Sequence, residues 1–401
     1  MKILVTSSRN PFSLDLVRKL ATQGHQVWAA DTFAAAAGSH SRYLAGHAVT
    51  ASPRHATAQF VTDVERIVDE HAIDMVVPTF EEAFYLATRH AELSTRTTLY
   101  TGQFAQLAAL HDKVSFQKLA TDAGVRIPRT LVAHDDEELR AAIAEFPHYF
   151  ARAAFSRGGV ALLTNTGPLA GKVDVGDCHP TADQPWLVQE FVAGPMVCSY
   201  STVHAGRVTA HCTYRAPRQW EHSTGIAFLG IDGRPTLDVV EKLAGPMAYS
   251  GQLSFDFVES DGELFLIECN PRTTDGALLM TAEHLAGGLT DPDHELTMVP
   301  EGEQVQLDFA VIAEMFKEPL RQAPRTIHDL LSVHDAGTGW HDHMPMAWSF
   351  LTMARGERMS RKQQVAILEA MADDVVWNGE PIDGMSEADA RALADIHAQR
   401  L

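Results

Sequence analysis

The stretch LSFDFVESDGELFLIECNPR, residues 253–272, constrains the fold of this chain most. Two apolar runs flank a short polar turn, which predicts a β-hairpin. The strands are apolar on both faces except at Asp256, Glu268 and Asn270. Two carboxylates close together repel each other unless a cation lies between them, and ligands that are all oxygen favour Mg²⁺. We therefore predict a metal site on this hairpin; a half-exposed strand with its polar side in water is the alternative.

The turn of the hairpin decides whether the two acids meet. A two-residue turn at Asp261 and Gly262 would send Asp256 and Glu268 to opposite faces of the sheet. A three-residue turn that starts at Ser260, with Gly262 left-handed, puts them on one face. We expect the three-residue turn, because that register lets both acids hold one ion.

The overall charge excludes one class of partner. The 401 residues carry a formal net charge of -20, whereas nucleic acids and anionic membranes attract basic surfaces. The length exceeds that of one ordinary domain, and no apolar run is long enough to cross a bilayer. We expect a multidomain protein that is neither anchored in nor integral to a membrane. Four cysteines without CxxC spacing favour a reducing cytoplasm: Cys178, Cys198, Cys212 and Cys269.

Short apolar strands alternate with amphipathic helices over the first 110 residues. Strand character is found in KILVTSS, QVWAADT, IDMVVPT and TLYTG, and helix character in SLDLVRKLATQ, VTDVERIVDEHA and EEAFYLATRHAEL. This alternation predicts a small α/β domain with a parallel sheet. From Phe150 to the hairpin the pattern is mostly that of antiparallel strands, and after residue 300 it is mostly helical.

Three segments upstream of the hairpin are compatible with nucleotide binding, although each has an ordinary structural interpretation. FARAAFSRGGVALL predicts two strands joined by a glycine loop whose N–H groups can close over phosphate oxygens, or else a plain turn. Lys113 begins a helix, where a cation is disfavoured unless an anion is close, or it is a solvated lysine. WLVQEFVAGP ends a strand at a bend, where backbone groups can contact an adenine, or it is an ordinary strand end.

In this order, the segments resemble the ATP-grasp superfamily, specifically its carboxylate-amine ligases. The resemblance covers about residues 1–300, and its most specific part is D-x11-E-x-N before Pro-Arg. It implies an α/β N-terminal domain with a parallel sheet, an α+β ATP-grasp fold of two lobes, and a mostly helical C-terminal region. The expected boundaries are 1–110 for the N-terminal domain, 111–187 for the small lobe with a glycine-rich lid loop, 188–300 for the large lobe with the metal site, and 301–401 for the helical region.

The resemblance also implies the ligands and the residues that bind them. ATP would lie between the lobes with Mg²⁺, or Mn²⁺, on Asp256, Glu268 and Asn270. A small carboxylate would be joined to an amine through an acyl phosphate, with release of ADP and phosphate. Arg272 and Arg215 are the expected catalytic cations, and a homodimer is compatible with this scheme. The expected ATP-binding residues are Lys113, Arg152, Ser156, Arg157, Gly158, Gly159, Gln189, Glu190, Phe191 and Val192.

Two further clusters are candidates for the substrates. Arg215, Arg218 and His222 could donate to a substrate carboxylate, or form a surface basic cluster. Glu81 and Glu82 follow a strand at the edge where open α/β sheets bind ligands, and could hold an ammonium group or cap the next helix. A second metal site near GWHDHMP is disfavoured, because Gly and Pro mark a solvated loop. Its ligands would come from His334, Asp335, His341, Asp342 and His343.

Two departures from the family pattern keep other functions open. Arg152 stands where the family has a lysine, and Gly194-Pro195-Met196 lacks the acid of its Gly-x-Glu. Because Arg152 lies on an apolar strand, it needs a partner, which is either an acid elsewhere in the chain, making it structural, or, as we expect, a phosphate of ATP. The alternatives are a nucleotide-binding homologue without ligase activity and an NAD(P) oxidoreductase with Asp31 after its second strand. The first turn, SSRNPFS, has no glycine to approach a pyrophosphate, which disfavours the oxidoreductase.

Overall fold

The computed structural model describes residues 1–155, 162–220, 224–315, 323–337 and 341–399. Its strands form three sheets on which the helices pack. The strands are β1 Lys2–Val5, β2 Gln26–Asp31, β3 Leu44–Val49, β4 Met75–Val77, β5 Thr98–Leu99, β6 Thr130–Ala133, β7 Tyr149–Ala153, β8 Leu162–Thr164, β9 Trp186–Glu190, β10 Met196–His204, β11 Arg207–Trp220, β12 Thr224–Gly230, β13 Gly251–Ser260, β14 Glu263–Asn270, β15 Thr297–Met298, β16 Gln304–Gln306 and β17 His334–Asp335. The helices are α1 Pro11–Thr22, α2 Thr57–His71, α3 Glu82–Ala87, α4 His90–Leu93, α5 Phe104–His111, α6 Lys113–Asp122, α7 Asp136–Ala144, α8 Arg234–Ala244, α9 Gly276–Leu279, α10 Ala282–Thr290, α11 Asp308–Met315, α12 Ala323–Ser332, α13 Met344–Gln363, α14 Ile367–Ala372 and α15 Glu387–Ala398.

The N-terminal sheet is parallel, with the strand order β3-β2-β1-β4-β5. Its central strands are short apolar runs, as expected for a sheet covered on both faces. Helix α1 packs Leu16, Val17 and Leu20 into the same core as β1. The predicted parallel α/β domain is confirmed, but the single helix predicted over EEAFYLATRHAEL is two short helices, α3 and α4.

The second sheet has four strands in the order β6-β9-β7-β8, all antiparallel. One face is covered by α7, whose Leu139 and Ala142 pack with Trp186 and Val188 of β9. Asp135 caps this helix by accepting hydrogen bonds from the N–H groups of the first turn. Burial of that face leaves the rest of β7 to face the third sheet.

The third sheet has the order β14-β13-β10-β11-β12-β16-β17, with β15 beside β11. One face buries Phe255 and Phe257, and Phe255 stacks on Phe116 of α6 at 5.9 Å between ring centroids. The other face packs Tyr200 and Tyr214 in a core shared with α9, α10 and α1. Both faces therefore have an apolar core at β13, which explains the apolar runs of the hairpin, whereas β14 at the edge of the sheet is mostly half-buried.

Residues after 300 add to the sheets as well as forming helices. Strands β16 and β17 extend the third sheet beyond β12. Trp377 is fully buried, and its ring lies against Phe84 of the N-terminal domain at 4.7 Å and Phe155 at 5.4 Å. The segment 371–380 therefore lies between the N-terminal domain and the end of β7.

Within the described ranges, no helix combines the length and the apolarity needed to cross a membrane. All four cysteines are free thiols.

Candidate active site

The turn of the hairpin is tighter than the sequence analysis expected. Ser260 pairs with Glu263, so that only Asp261 and Gly262 form the turn. Both turn residues have left-handed backbone, with φ of 51° and 78°, which is the conformation of a two-residue hairpin turn. The expected three-residue turn is therefore wrong.

Asp256 and Glu268 nevertheless lie directly opposite each other on β13 and β14. The pairing shifts by one residue between Asp256 and Phe257, and Ile267 is the extra residue on β14. Such a β-bulge moves every later side chain of the strand to the other face. The bulge, rather than the turn, brings the two acids together.

Asn270 and Arg272 extend the same cluster past the end of β14. The Asn270 amide donates to Asp256 Oδ2 at 3.2 Å, and Arg272 donates to Asn270 Oδ1 at 3.2 Å. The Arg272 guanidinium lies over the Phe80 ring, 4.3 Å from its centroid. Asp256, Asn270 and Arg272 thus form one chain of contacts at the carboxyl end of the hairpin.

Two cations from other elements bind Glu268. Lys113 is the first residue of α6, which Asp112 caps, and its Nζ lies 3.4 Å from Glu268 Oε1. Arg152 of β7 donates to Glu268 Oε2 at 2.5 Å and to the Ile267 carbonyl at 2.6 Å. An acid of the chain therefore pairs Arg152 in this structure, and its expected contact with a phosphate stays a prediction. The bulge assists, because it presents the Ile267 carbonyl to the same guanidinium.

The pKa values of the two neighbouring acids are shifted in opposite directions. Burial raises the pKa of Asp256, and the charge on Glu268 adds to this, so that the pKa lies at about 6. Burial also acts to raise the pKa of Glu268, but Lys113 and Arg152 outweigh it and lower the value to about 2. At neutral pH Glu268 is therefore fully ionised. Asp256 would be ionised to the same extent only with a positive charge nearby.

The donor set fits a hard divalent cation. Asp256, Glu268 and Asn270 offer only oxygen ligands on one side of the hairpin, the chemistry that suits Mg²⁺ with phosphate oxygens. A cation there would also relieve the repulsion that raises the pKa of Asp256. Nowhere in the described part of the chain do three His, Cys, Asp or Glu side chains form a metal-binding group. A cation at this trio would therefore need the amide oxygen of Asn270 and further oxygen ligands from a bound phosphate or water.

The expected adenine hinge is at the end of β9. Gln189 is buried and donates to Thr130 Oγ1 at 3.1 Å. The N–H groups of Glu190 and Phe191 donate to backbone carbonyls of neighbouring segments. These groups hold the end of the sheet, and the adenine contact of Gln189–Val192 stays a prediction. The glycine loop from Ser156 through Arg157 and Gly158 to Gly159 lies outside the described residues.

The expected substrate arginines are not gathered at the acids. Cys198 and Tyr214 pair in register with Asp256, so Arg215, next along β11, points to the opposite face. There Arg215 forms an ion pair with Glu259. Arg218 donates to Asp329 Oδ2 at 3.2 Å and thereby holds α12. His222 lies outside the described residues, so the proposed carboxylate-binding cluster is not assembled by the two arginines.

The carboxyl edge of the N-terminal sheet is covered by the segment 371–380. Glu82 accepts hydrogen bonds from Thr6 and Ser7, both at 2.5 Å, and ties the end of β1 to α3. Glu81 accepts from the Trp377 N–H at 2.9 Å. Both glutamates are fully buried in these contacts. In this structure they stabilise the fold, and the expected ammonium site stays a prediction.

Asp31 is also engaged by the chain itself. Arg9 bridges Asp31 at 2.7 Å and Asp374 at 2.8 Å, and all three side chains are nearly buried. This contact takes the acid that a dinucleotide-binding domain would use for a ribose. Together with the covering segment 371–380, it argues against the oxidoreductase.

The residues near GWHDHMP do not form a second metal centre in the part that the structure describes. Asp342 is buried and accepts hydrogen bonds from Arg18 at 2.9 Å and Ser41 at 2.7 Å. It fastens the start of α13 to the N-terminal domain. His341 and His343 flank it in an exposed turn, and His334 and Asp335 form β17.

The whole arrangement is similar to solved enzyme structures. Phosphoribosylamine–glycine ligase from Thermotoga maritima is 18% identical, with a TM-score of 0.57, over 76% of this chain and 78% of that chain. N5-carboxyaminoimidazole synthetase from Staphylococcus aureus, complexed with ADP, is 10% identical, with a TM-score of 0.58, over 75% and 79%. The biotin carboxylase domain dimer of Hydrogenobacter thermophilus 2-oxoglutarate carboxylase, in complex with MgADP and bicarbonate, is 15% identical, with a TM-score of 0.53, over 72% and 69%.

The chain has the ATP-grasp fold. The resemblance drawn from its motifs is thereby confirmed at the level of the fold. No protein-family model matches the chain. Among curated proteins, the arginine-specific large chain of carbamoyl phosphate synthase from Bacillus subtilis (strain 168) is 22% identical over 225 residues. This match covers 53% of the present chain but only 21% of that protein, so the chain spans about a fifth of its relative.

Two residues of this candidate site were missed in the sequence. His111, two positions before Lys113, is buried and its charge acts to lower the pKa of Glu268. Burial raises the pKa of Asp275 to about 7, with Arg272 acting against this and Asp256 adding to it. The sequence offered a weak signal for each, since His111 ends an apolar helix and Asp275 begins a short one. Both looked like ordinary helix-end residues.

Proposed function

We propose that this ATP-grasp protein is an ATP-dependent ligase that joins a small carboxylate to an amine, with release of ADP and phosphate. One observation carries the proposal. The half-buried acids Asp256 and Glu268 lie opposite each other, and Lys113 and Arg152 from two other elements pair with Glu268. In the proposal the acids hold the metal ion of a nucleotide, and the cations bind its phosphates. The ligases among the similar structures support the same reaction class.

In the proposed reaction, the chain supplies positioning and charge. Lys113 and Arg152 would turn from Glu268 to the phosphates of ATP, while Asp256, Glu268 and Asn270 would hold Mg²⁺, which neutralises phosphate charge when bound. A substrate carboxylate oxygen attacks the γ-phosphorus, and ADP leaves. The amine nitrogen then attacks the acyl carbon, phosphate leaves, and the nitrogen gives up its proton to solvent. Arg272, which donates to Asn270 beside the proposed metal site, would stabilise the transferred phosphoryl group.

Phosphate release tests the proposal. Pairs of small acids and amines, including amino acids, are added with ATP and Mg²⁺, and release is expected only when an acid is present. Hydroxylamine in place of the amine should trap the acyl phosphate as a hydroxamate. ATP hydrolysis that is independent of any acid, with no hydroxamate, would contradict the ligase.

A nucleotide-binding protein without ligase activity is the second candidate. The observation that favours it is the ion pair between Arg152 and Glu268, because a cation that serves an acid of the chain is not free for phosphate. Titration calorimetry of such a protein would show binding of ATP with Mg²⁺. No acid would cause it to form ADP. Acid-dependent formation of ADP separates the two candidates.

A further inference from the structure

Exposed apolar side chains are concentrated on the helices α11, α12 and α13. Of the thirteen large hydrophobic residues that are exposed in the described chain, nine lie between residues 309 and 353. Scattered exposed apolar residues are normal, whereas a cluster marks an interaction surface. We call this cluster the apolar helix face. Its residues are Phe309, Ile312, Ile327, Leu331, Met344, Met346, Phe350, Leu351 and Met353.

The way α13 is attached explains why these side chains are exposed. The helix touches the N-terminal domain along one narrow stripe, where Trp348 stacks on His40 at 3.7 Å and Thr352 donates to the Ala35 carbonyl at 2.6 Å. Gly356 is also buried, but it lies against Ile367 and Met371 of α14. The exposed apolar side chains of α13 lie away from these contacts, so they do not hold the helix in place.

The three helices form one surface. Phe350 of α13 meets Phe309 of α11 edge-on, with 5.4 Å between the ring centroids. Helix α11 in turn packs on α12, which exposes Ile327 and Leu331. The face is therefore a continuous apolar surface across all three helices.

We propose that the apolar helix face is the interface of a homodimer. Its nine residues are 41 to 84% exposed; at about 200 Å² for a large apolar residue, they present on the order of 900 Å². A standard interface buries about 800 Å² on each partner. Phenylalanine and methionine, which make up five of the nine residues, are also enriched in protein interfaces.

The charges beside the face favour a second copy of this chain. The chain has a net charge of -20, so two copies repel each other in general. The second half of α13, however, carries Arg355, Arg358, Arg361 and Lys362 against a single acid, Glu357. In a two-fold arrangement each basic helix end meets the acidic body of the other copy, and the contact is made twice.

Sedimentation equilibrium of the full chain tests the proposal. Between 1 and 100 μM, the wild-type chain should approach twice its mass of 43.9 kDa. Phe350→Asp and, separately, Leu331→Asp should each raise the dimer dissociation constant at least a hundredfold, because each buries a charge in the interface. Both residues are more than half exposed, so circular dichroism should be unchanged.

Leu296→Asp is the matched control, since Leu296 is exposed but lies outside the apolar helix face. The control should dimerise like the wild type. A wild-type chain that stays monomeric at 100 μM would overturn the proposal and leave the face to a different partner. Dimers that persist in both aspartate variants would overturn it as well, because the interface would then lie elsewhere.

Discussion

The ion pair between Arg152 and Glu268 should contribute strongly to folding. Its atoms lie 2.5 Å apart, and the two side chains are only 7% and 16% exposed. Removing one partner of a buried pair costs about 3–5 kcal/mol, because the other charge is left uncompensated. Lys113 remains 3.4 Å from Glu268 and keeps part of the compensation. We therefore expect Arg152→Gln to lower the free energy of unfolding by about 3 kcal/mol, the lower end of that range.

A double-mutant cycle isolates the pair. Arg152→Gln, Glu268→Gln and the double variant are compared with the wild type by urea unfolding without nucleotide. Residues in direct contact show coupling energies of about 0.5–3 kcal/mol, and we expect about 2 kcal/mol here. Arg126 and Glu263 provide the control, because their pair also ties a residue of the hairpin to another segment, at 3.1 Å, but is more than half exposed. Its coupling should stay below about 1 kcal/mol.

The same variants test whether Arg152 also binds the phosphates of ATP. If it turns to the phosphates, Arg152→Gln should raise the ATP dissociation constant at least tenfold, about 1.4 kcal/mol, while Arg152→Lys should keep part of the affinity. Titration calorimetry measures both. A coupling energy no larger than that of the control pair would refute the buried ion pair as a stabilising contact. Unchanged ATP affinity would make Arg152 purely structural.

Three other substitutions test the remaining contacts. Glu268→Gln should reduce acid-dependent phosphate release by orders of magnitude with circular dichroism unchanged, since it removes a metal ligand's charge without volume; near-normal turnover would exclude the metal site. The pKa of Asp256 is raised from 3.8 to about 6 by burial and by Glu268, so the folded chain releases this proton at higher pH than the unfolded chain and loses stability as the pH rises through that window. Asp256→Asn should therefore raise the unfolding midpoint relative to the wild type at pH 8 more than at pH 4, and an equal difference at both pH values would contradict the shift. Asp374→Asn should lower the free energy of unfolding by about 2 kcal/mol, because its hydrogen bonds to buried Arg9 are charge-assisted; Asp373→Asn, in an exposed pair with Arg54, should change it by less than about 1 kcal/mol.

Local patterns were sufficient for much of the fold. The apolar runs of β1, β2 and β4 and the amphipathic helices α1 and α2 were predicted near their observed positions, because one or both faces of each are buried locally. Strand β3 was missed, since LAGHAV has few large apolar residues and alternates between half-buried and exposed positions. Helix α5 was missed although its Gln103 and Gln106 capping box was a usable signal.

Contacts between distant segments could not be predicted. Strands β16 and β17 have three and two residues, too few for any pattern, and exist because β12 offers an edge to pair with. Arg9 and Asp374 are hundreds of residues apart, and nothing in either segment indicates the other. The acid that pairs with Arg215 could not be predicted either, because the position of Arg215 near Arg218 suggested that both bind a substrate carboxylate. Strand alternation and a register shift between them instead give each arginine its own acid.

The hairpin of the candidate site has one feature that could be predicted, its residue types, and one that could not, its backbone geometry. The residue types were sufficient to single out Asp256, Glu268 and Asn270, because oxygen ligands in an apolar sheet require positive charge. Their common face, in contrast, depends on the bulge at Ile267, which no residue preference marks. The bulge also frees the Ile267 carbonyl to accept from Arg152 at 2.6 Å, so one backbone irregularity both aligns the acids and fixes the cation opposite them. Deleting Ile267 should therefore separate the two acids onto opposite faces and release Arg152 together, whereas substitutions at Ile267 that keep the backbone should do neither.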